Sequence, residues 1–234
     1  MNRPEPPPRK ATRIQRKNRE AILEAALRIF SAHGFRGATI DRIAEQAGLS
    51  KPNLLYYFPS KHAIYVAVLE DTLEEWLLPL RELDAAGDPL REIGRYVEAK
   101  LEMSRTRPEA SRLFANEILH GAPAIGDFLK GPLKQLVDMK AAVIERWIAE
   151  GRLSPVDPRH LIMMVWAVTQ HYADFDVQVQ AVLGPKESKR RYRRAGETVA
   201  ALLLEGLRPH GRRQEAAVTP PGQMFAPRAG GSRR

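Results

Sequence analysis

The side chains best suited to chemistry in this 234-residue chain fall into two groups. The first is polar and comprises Thr39, Ser50, Lys51, Asn53, Tyr57 and Lys61. Lysine can donate to the acceptor edge of guanine, and an asparagine amide suits adenine. Hydroxyl groups, and the free N–H groups at a helix start, suit phosphate oxygens. The second group is Trp76, Leu77, Trp166 and Gln170. Two indoles offer flat apolar walls to a planar ring, with Leu77 as a floor. Gln170 follows Trp166 by one helical turn and so shares its face. Its amide carries a donor and an acceptor together, matching a ring edge on which donors and acceptors alternate. The chemistry implied is recognition at both places, with no bond made or broken. Serines, histidines and carboxylates occur, but none sits in a nucleophile or metal motif. There is no cysteine, which removes thiolate ligands, disulfides and cysteine nucleophiles. His171 and Asp174 stand three apart, yet two ligands are too few for a metal, and a hydrogen-bonded or interface pair is the simpler reading. No enzyme activity, metal or cofactor is expected.

Both groups need helices to position them. Ile22, Ala26 and Phe30 recur at four-residue steps, with Leu23 and Leu27 beside them, which predicts a first helix over 17–33 ended by Gly34. Thr39 caps a second, short helix whose Ile40, Ile43, Ala44 and Ala47 follow helical spacing. Gly48 breaks it and Leu49 plugs the turn. Ser50 caps a third helix that tolerates Pro52 in its first turn. Pro59 stops that helix, and Ser60 caps a long fourth one through Tyr65, Leu69, Leu73, Trp76 and Leu80. Helices are expected near 89–106, 108–119, 125–150, 157–180 and 187–207, separated by Gly and Pro breakers. No alternating strand pattern or tight hairpin signal is visible. The fold class is all-α, with about nine helices. Its expected division is a basic disordered arm (1–16), a helix-turn-helix domain (17–62), a ligand-binding and dimerisation domain (63–208) and a disordered tail (209–234).

Three short helices, the second and third joined by a glycine turn, form a helix-turn-helix, which presents the third helix to the DNA major groove. Ile40, Ile43, Ala47, Leu49 and Leu54 would form its small core, while Lys51, Asn53 and Tyr57 point outward. Charge agrees with this division. Residues 1–61 hold twelve Lys/Arg against five Asp/Glu, residues 62–183 thirteen against nineteen, and residues 184–234 twelve against four, giving +7, −6 and +8 of the total +9. A basic head on an acidic body suggests that the head meets a polyanion, although solvated tails would give the same counts. No apolar run reaches the ~20 residues of a membrane span, and the basic N-terminus lacks a signal-peptide core, so a cytoplasmic protein is expected.

Other readings of single residues stay open. Thr39, Ser50 and Ser60 serve as caps whether or not DNA is touched. Tyr56 and Phe58 read as core. Trp76 and Trp166 fit a packed core as well as a ligand wall, and Gln170 could cross a subunit interface. Arg112 and Glu117 read as a salt bridge at a cavity rim. Ala195, Gly196, Val199, Ala200, Leu203 and Leu207 would suit a dimer interface or an internal helix.

The run from Ile22 to Leu69 contains AALRIFSAHGF, then T-x-x-x-IA-x-x-AG-x-S, then LYYFPSK. In this order the motifs resemble the N-terminal domain of the TetR/AcrR family of transcriptional regulators. The resemblance implies a homodimeric repressor that binds an inverted-repeat operator in double-stranded DNA, with contacts from Thr39, Ser50, Lys51, Asn53, Tyr57 and Lys61. LEDTLEEWLLPL, SRTRPEASRLFANEILHGAP, the run from Trp147 to Phe175 and LLLEGLRP are similar to the pyrimidine-utilisation regulators of that family. That likeness covers most of 18–209 and implies uracil or thymine as a small-molecule effector at Trp76, Leu77, Trp166 and Gln170. Two rival readings are the same regulator with a different hydrophobic effector, and a sequence-tolerant architectural DNA binder driven by the basic tails.

Overall fold

A computed structural model describes residues 12–209. Of the expected disordered arm and tail, residues 1–11 and 210–234 lie outside the described residues. Among the described residues the chain is helical, with no strand. The helices are α1 (Arg13–Gly37), α2 (Ile40–Gln46), α3 (Lys51–Tyr57), α4 (Lys61–Arg81), α5 (Pro89–Thr106), α6 (Pro108–Leu119), α7 (Lys134–Ala149), α8 (Pro158–Asp174), α9 (Asp176–Ser188) and α10 (Arg191–Leu207). A single turn at Gly126–Phe128 and a wide π-helical turn at Leu129–Leu133 lead into α7. Pro132 lies inside that wide turn, where its missing N–H cannot close a helical bond.

Local chemistry explains most of the boundaries. Thr39, Ser50 and Ser60 each accept a hydrogen bond from the backbone N–H three residues on, at 3.3, 3.3 and 3.1 Å. Gly34 has φ +65°, which interrupts α1 where the sequence predicts an end. The start of α1 departs from expectation. Thr12 and Gln15 form a capping box, so the helix begins at Arg13 and takes residues 13–16 out of the expected arm. The region expected as one helix near 157–180 is two, because Phe175 leaves helical geometry at φ −112°, ψ 32°. The described residues therefore hold ten helices rather than about nine.

Two apolar clusters support the molecule. The head cluster joins Ile22, Leu27 and Phe30 of α1 to Ile43 of α2 and Leu54 of α3. It does not stop at residue 62. Ile64, Tyr65, Val68 and Leu69 of α4 pack into it, as do Ala110 and Leu113 of α6, so α4 belongs to both halves. The body cluster gathers Leu77, Leu80, Ile93, Tyr96, Val97, Leu101, Ile144, Trp147, Ile162 and Val165. Trp147 is fully buried, and its Nε1 donates to Ala85 O at 2.9 Å, which ties α7 to the loop after α4. The small residues of α10 are used internally. A Cβ built on Gly196 would stand 3.5 Å from Leu101, and one on Gly94 3.5 Å from Leu204, so the paired glycines let α5 and α10 approach. Ala195 is buried in the same seam. No helix among the described residues is long and apolar enough to cross a membrane.

Candidate DNA-reading head and effector site

In the head, Leu54 and Ile43 are fully buried and fix α3 across α2, while Ile40, Ala47 and Leu49 pack at the edge of that core. This leaves Ser50, Lys51 and Asn53 exposed on the first turns of α3. Thr39 is exposed at the start of α2. These four form one outward polar surface. Lys51 Nζ pairs with Asp41 Oδ2 at 3.0 Å, so an incoming phosphate or base must compete with a carboxylate. Tyr57 is half-buried, and its hydroxyl accepts from Asn18 Nδ2 at 3.0 Å.

Two expectations change. Tyr56 is not core: it is 71% exposed, meets Tyr57 edge-on at 5.3 Å, and its hydroxyl accepts from Gln15 Nε2 at 3.4 Å. Helical phase explains this, since Leu54 and Phe58 take the inward face of α3. Lys61, expected as a phosphate clamp, turns inward. Its Nζ donates to Phe35 O at 2.8 Å and Ala38 O at 2.9 Å, and sits 4.6 Å from the Phe35 ring centre. Two of its three protons thus hold the end of α1 to the start of α4, and one remains for DNA.

The second group of residues lies where α4 passes from the head cluster, which includes Trp76, into the body cluster, which includes Leu77. Trp76 is buried between the Phe114 ring at 6.0 Å and Lys100 Nζ, which stands 4.3 Å from its ring centre. Trp166 is half-buried, and its Nε1 donates to Tyr96 Oη at 2.5 Å. The two indoles are therefore not face to face. They are joined through Tyr96 and Lys100, which are one turn apart on α5. Gln170 is half-buried one turn beyond Trp166, and Asp174 lies one turn further. Leu77 is buried in the body cluster beside Trp76. Tyr96, Lys100 and Ser104 are thus spaced by single turns on α5, and Trp166, Gln170 and Asp174 on α8, the two sets linked by the Trp166–Tyr96 hydrogen bond and by the charge of Asp174 acting on Lys100.

Burial sets the electrostatics. It pushes the Lys100 ammonium down to about 8, with the nearby Asp174 carboxylate opposing the shift. It raises the Asp174 carboxyl, against a hydrogen bond from Ser111 Oγ and the charges of Arg112, His171 and Lys100. The Tyr96 phenol is also held well above its usual range by burial. Reasoning from sequence missed Lys100. The available signal was a polar stripe, Tyr96, Lys100 and Ser104, beside the apolar stripe Ile93, Val97 and Leu101.

The expected Arg112–Glu117 pair does not form. Arg112 approaches Glu109 at 3.8 Å, while Glu117 accepts from Tyr65 Oη at 2.9 Å and from Ala124 N at 2.6 Å. The buried carboxylate fixes the loop after α6, and the Tyr65 phenol is raised by its burial first and by this carboxylate second. His171 stacks on Phe175 at 5.1 Å and forms no hydrogen bond with Asp174, and no group of three or more His, Asp or Glu suited to a metal occurs among the described residues. A cavity of about 830 Å³ lies at the head–body junction, lined in part by Phe30, Phe35, Tyr65, Leu113 and Glu117.

Comparison with known proteins matches both halves of the chain. Residues 22–68 match the model of bacterial regulatory proteins, tetR family, and residues 69–210 match that of the YcdC-like protein, C-terminal region. The HTH-type transcriptional regulator RutR of Escherichia coli (strain K12) is 49% identical over 201 residues, covering 86% of this chain and 95% of that protein. The HTH-type transcriptional regulator EthR of Mycolicibacterium smegmatis is 28% identical over 158 residues, covering 64% of this chain and 71% of its own length. Among solved structures, the ketosteroid transcriptional regulator KstR2 of Mycobacterium tuberculosis superposes with a TM-score of 0.62 at 22% identity, over 82% of this chain and 95% of that one. The last likeness concerns the fold alone.

Proposed function

The chain belongs to the TetR family of bacterial regulatory proteins, and from that premise we propose that its operator binding is released by a pyrimidine base, uracil or thymine, bound between α4, α5 and α8. The chain is a DNA-binding transcriptional regulator rather than an enzyme. Regulators of this family bind operator DNA as homodimers and respond to small-molecule effectors. The observation carrying the effector reading is the buried polar set around Trp76, Lys100, Gln170 and Trp166. A polar set inside an apolar body rejects rings that leave its groups unpaired.

On this reading Thr39, Ser50, Lys51, Asn53 and Tyr57 contact the operator, with Lys51 and Asn53 reading bases. Lys61 acts chiefly by anchoring, with its third proton left for a phosphate. An exposed apolar set, Met163 and Met164 of α8, Phe175 at the break, Val182 of α9 and Leu202 of α10, supplies the dimer surface. A two-fold dimer places two heads on successive major grooves and so requires an inverted repeat. Release follows through α4. Lys61 fastens one end of this helix to the head, and Trp76 meets the effector about 22 Å along it at 1.5 Å per residue. A ligand that prefers one tilt of α4 changes the spacing of the heads. It shifts the equilibrium only by its differential affinity for the two states.

The test is a titration of the promoter region beside its own gene, with and without uracil, at fixed salt. Selective binding weakened at least tenfold by uracil is expected. Selective binding that ignores uracil would discard the pyrimidine. Trp76→Ala is expected to keep operator affinity and lose the uracil response. The junction cavity favours one second reading, a larger apolar effector wedged between head and body, which a hydrophobic ligand panel would reveal by releasing DNA where uracil does not.

A further inference from the structure

Hydrogen-bond donors buried without acceptors are rare, because each forfeits its contacts with water and receives nothing in return. One such donor, the Trp76 indole, lies on α4 beside an ammonium that has no hydrogen-bond partner. Trp76 is 3% exposed, and its Nε1 has no hydrogen-bond partner. Lys100 is also 3% exposed. Among the described residues its Nζ forms no hydrogen bond or ion pair, only the contact with the Trp76 ring at 4.3 Å and the longer-range field of Asp174. An ammonium carries three donors and no acceptor, and an indole N–H is a donor only. The two groups therefore ask for the same complement, acceptor oxygens, and lie close enough for one small molecule to serve both.

The neighbouring groups narrow the choice. Asp174 is the nearest acid by its effect on Lys100; its Oδ1 accepts from Ser111, and no hydrogen bond or ion pair joins it to Lys100. Thr72 and Thr169 return their hydroxyl protons to carbonyls of their own helices, Val68 O at 2.8 Å and Val165 O at 2.7 Å. Trp166 has turned its donor to Tyr96. Gln170, one turn along α8, offers an amide of either sense with no protein partner among the described residues. The surroundings thus hold surplus donors on the α4–α5 side and an adaptable amide on the α8 side.

We propose that Lys100 is a specificity-determining residue of the effector site. Its ammonium, with the Trp76 indole N–H, takes the carbonyl oxygens of a planar imide ring. Resting on Trp76, the same ammonium occupies the aromatic face that the incoming ring needs. This rests on the pyrimidine reading above and deepens it. Effector entry exchanges a cation–π contact for a charge-assisted hydrogen bond, so Lys100 leaves the indole face and stays at the rim of the ligand. A ring lacking one carbonyl oxygen leaves a buried donor orphaned, and the site selects against it.

The experiment is calorimetric titration of the full-length protein at neutral pH with uracil, 2-pyrimidinone and 4-pyrimidinone, the last two each lacking one carbonyl oxygen. Wild type, Lys100→Met and Trp76→Phe are compared, the last keeping a ring while removing its N–H. Wild type is expected to prefer uracil at least tenfold over both single-carbonyl rings. Lys100→Met is expected to weaken uracil at least tenfold and to erase its preference over one of them. Trp76→Phe is expected to weaken uracil several-fold. Should Lys100→Met not fold, the wild-type series still decides, since equal affinity for all three rings overturns the proposal. Uracil binding that survives Lys100→Met with its preference intact overturns the role of Lys100 and leaves the pyrimidine reading standing. A wild type that binds none of the three rings removes both.

Discussion

The head and the body use polar groups in opposite ways. In the head they face outward, Lys61 excepted, and three hold a protein partner through the side chain's polar end: Lys51 has Asp41, Tyr57 has Asn18, and Lys61 has two carbonyls. In the body they face inward, and Trp76 Nε1 and Lys100 Nζ have no hydrogen-bond partner among the described residues. The difference follows from solvent. An exposed donor is satisfied by water, so its direction says little until DNA displaces that water. A buried donor has no such substitute, so leaving it unpaired costs free energy that a ligand acceptor would recover. The head is built to exchange partners, and the body to acquire one.

The largest test of this contrast strikes the packing beneath the outward face. Leu54→Ala empties a fully buried site and is expected to lower stability by about 2–5 kcal/mol, measured by urea unfolding, with operator binding lost before effector binding. Next comes the buried ammonium. Lys100 has a folded value of about 8 against 10.5 for the free side chain, so the unfolded chain binds more protons between these values. Below pH 8 the charged form destabilises the fold by about 3 kcal/mol, and this penalty is relieved as pH rises from 8 toward 10. Lys140, also lowered by burial, acts in the same direction. Tyr65 and Tyr96, both raised, oppose any further gain above pH 10. Unfolding between pH 7.5 and 10 should therefore show rising stability, with most of the slope absent in Lys100→Met.

Smaller effects separate reading from anchoring in the head. Asn53→Ala is expected to weaken the operator by about 1–3 kcal/mol, relaxing selectivity at one base while leaving uracil affinity unchanged. An operator library bound at fixed salt checks both. The smallest effect concerns the exposed Lys51–Asp41 pair. Asp41→Asn removes the carboxylate that competes with DNA, and operator affinity should rise by less than about 1 kcal/mol, fading in high salt.

The head was largely legible in the sequence because its signals are local. Thr39, Ser50, Ser60, Gly48 and Pro59 each act within one turn of chain and mark the boundaries they predict, while Gly34 kinks α1 three residues before its end. The misreadings there concern direction. Tyr56 reads as core by type, yet its helical phase turns it outward. Lys61 reads as a free cation, yet the end of α1 brings two carbonyls to it. The body was less legible because burial of Lys100 is decided jointly by α4, α5 and α8, which are distant in sequence. The same holds for α10. Its small residues predict close packing, but only the fold says that the partner is α5 of the same chain. The break at Phe175 had no Gly or Pro to announce it.

The wide turn at Leu129–Leu133 bears on how this chain tolerates changes of length. A π turn absorbs one surplus residue locally, so the helix faces on either side keep their phase. Deleting one residue within α7 would rotate everything on one side of the cut by about 100° and carry Ile144 or Trp147 off the core. Deleting Gly131 instead would close the wide turn into an ordinary one and leave both residues in place. The two deletions, identical in size and a few residues apart, should melt at clearly different temperatures. The segment before α7 is thus a slack link, where the sequence can lose a residue without losing its register.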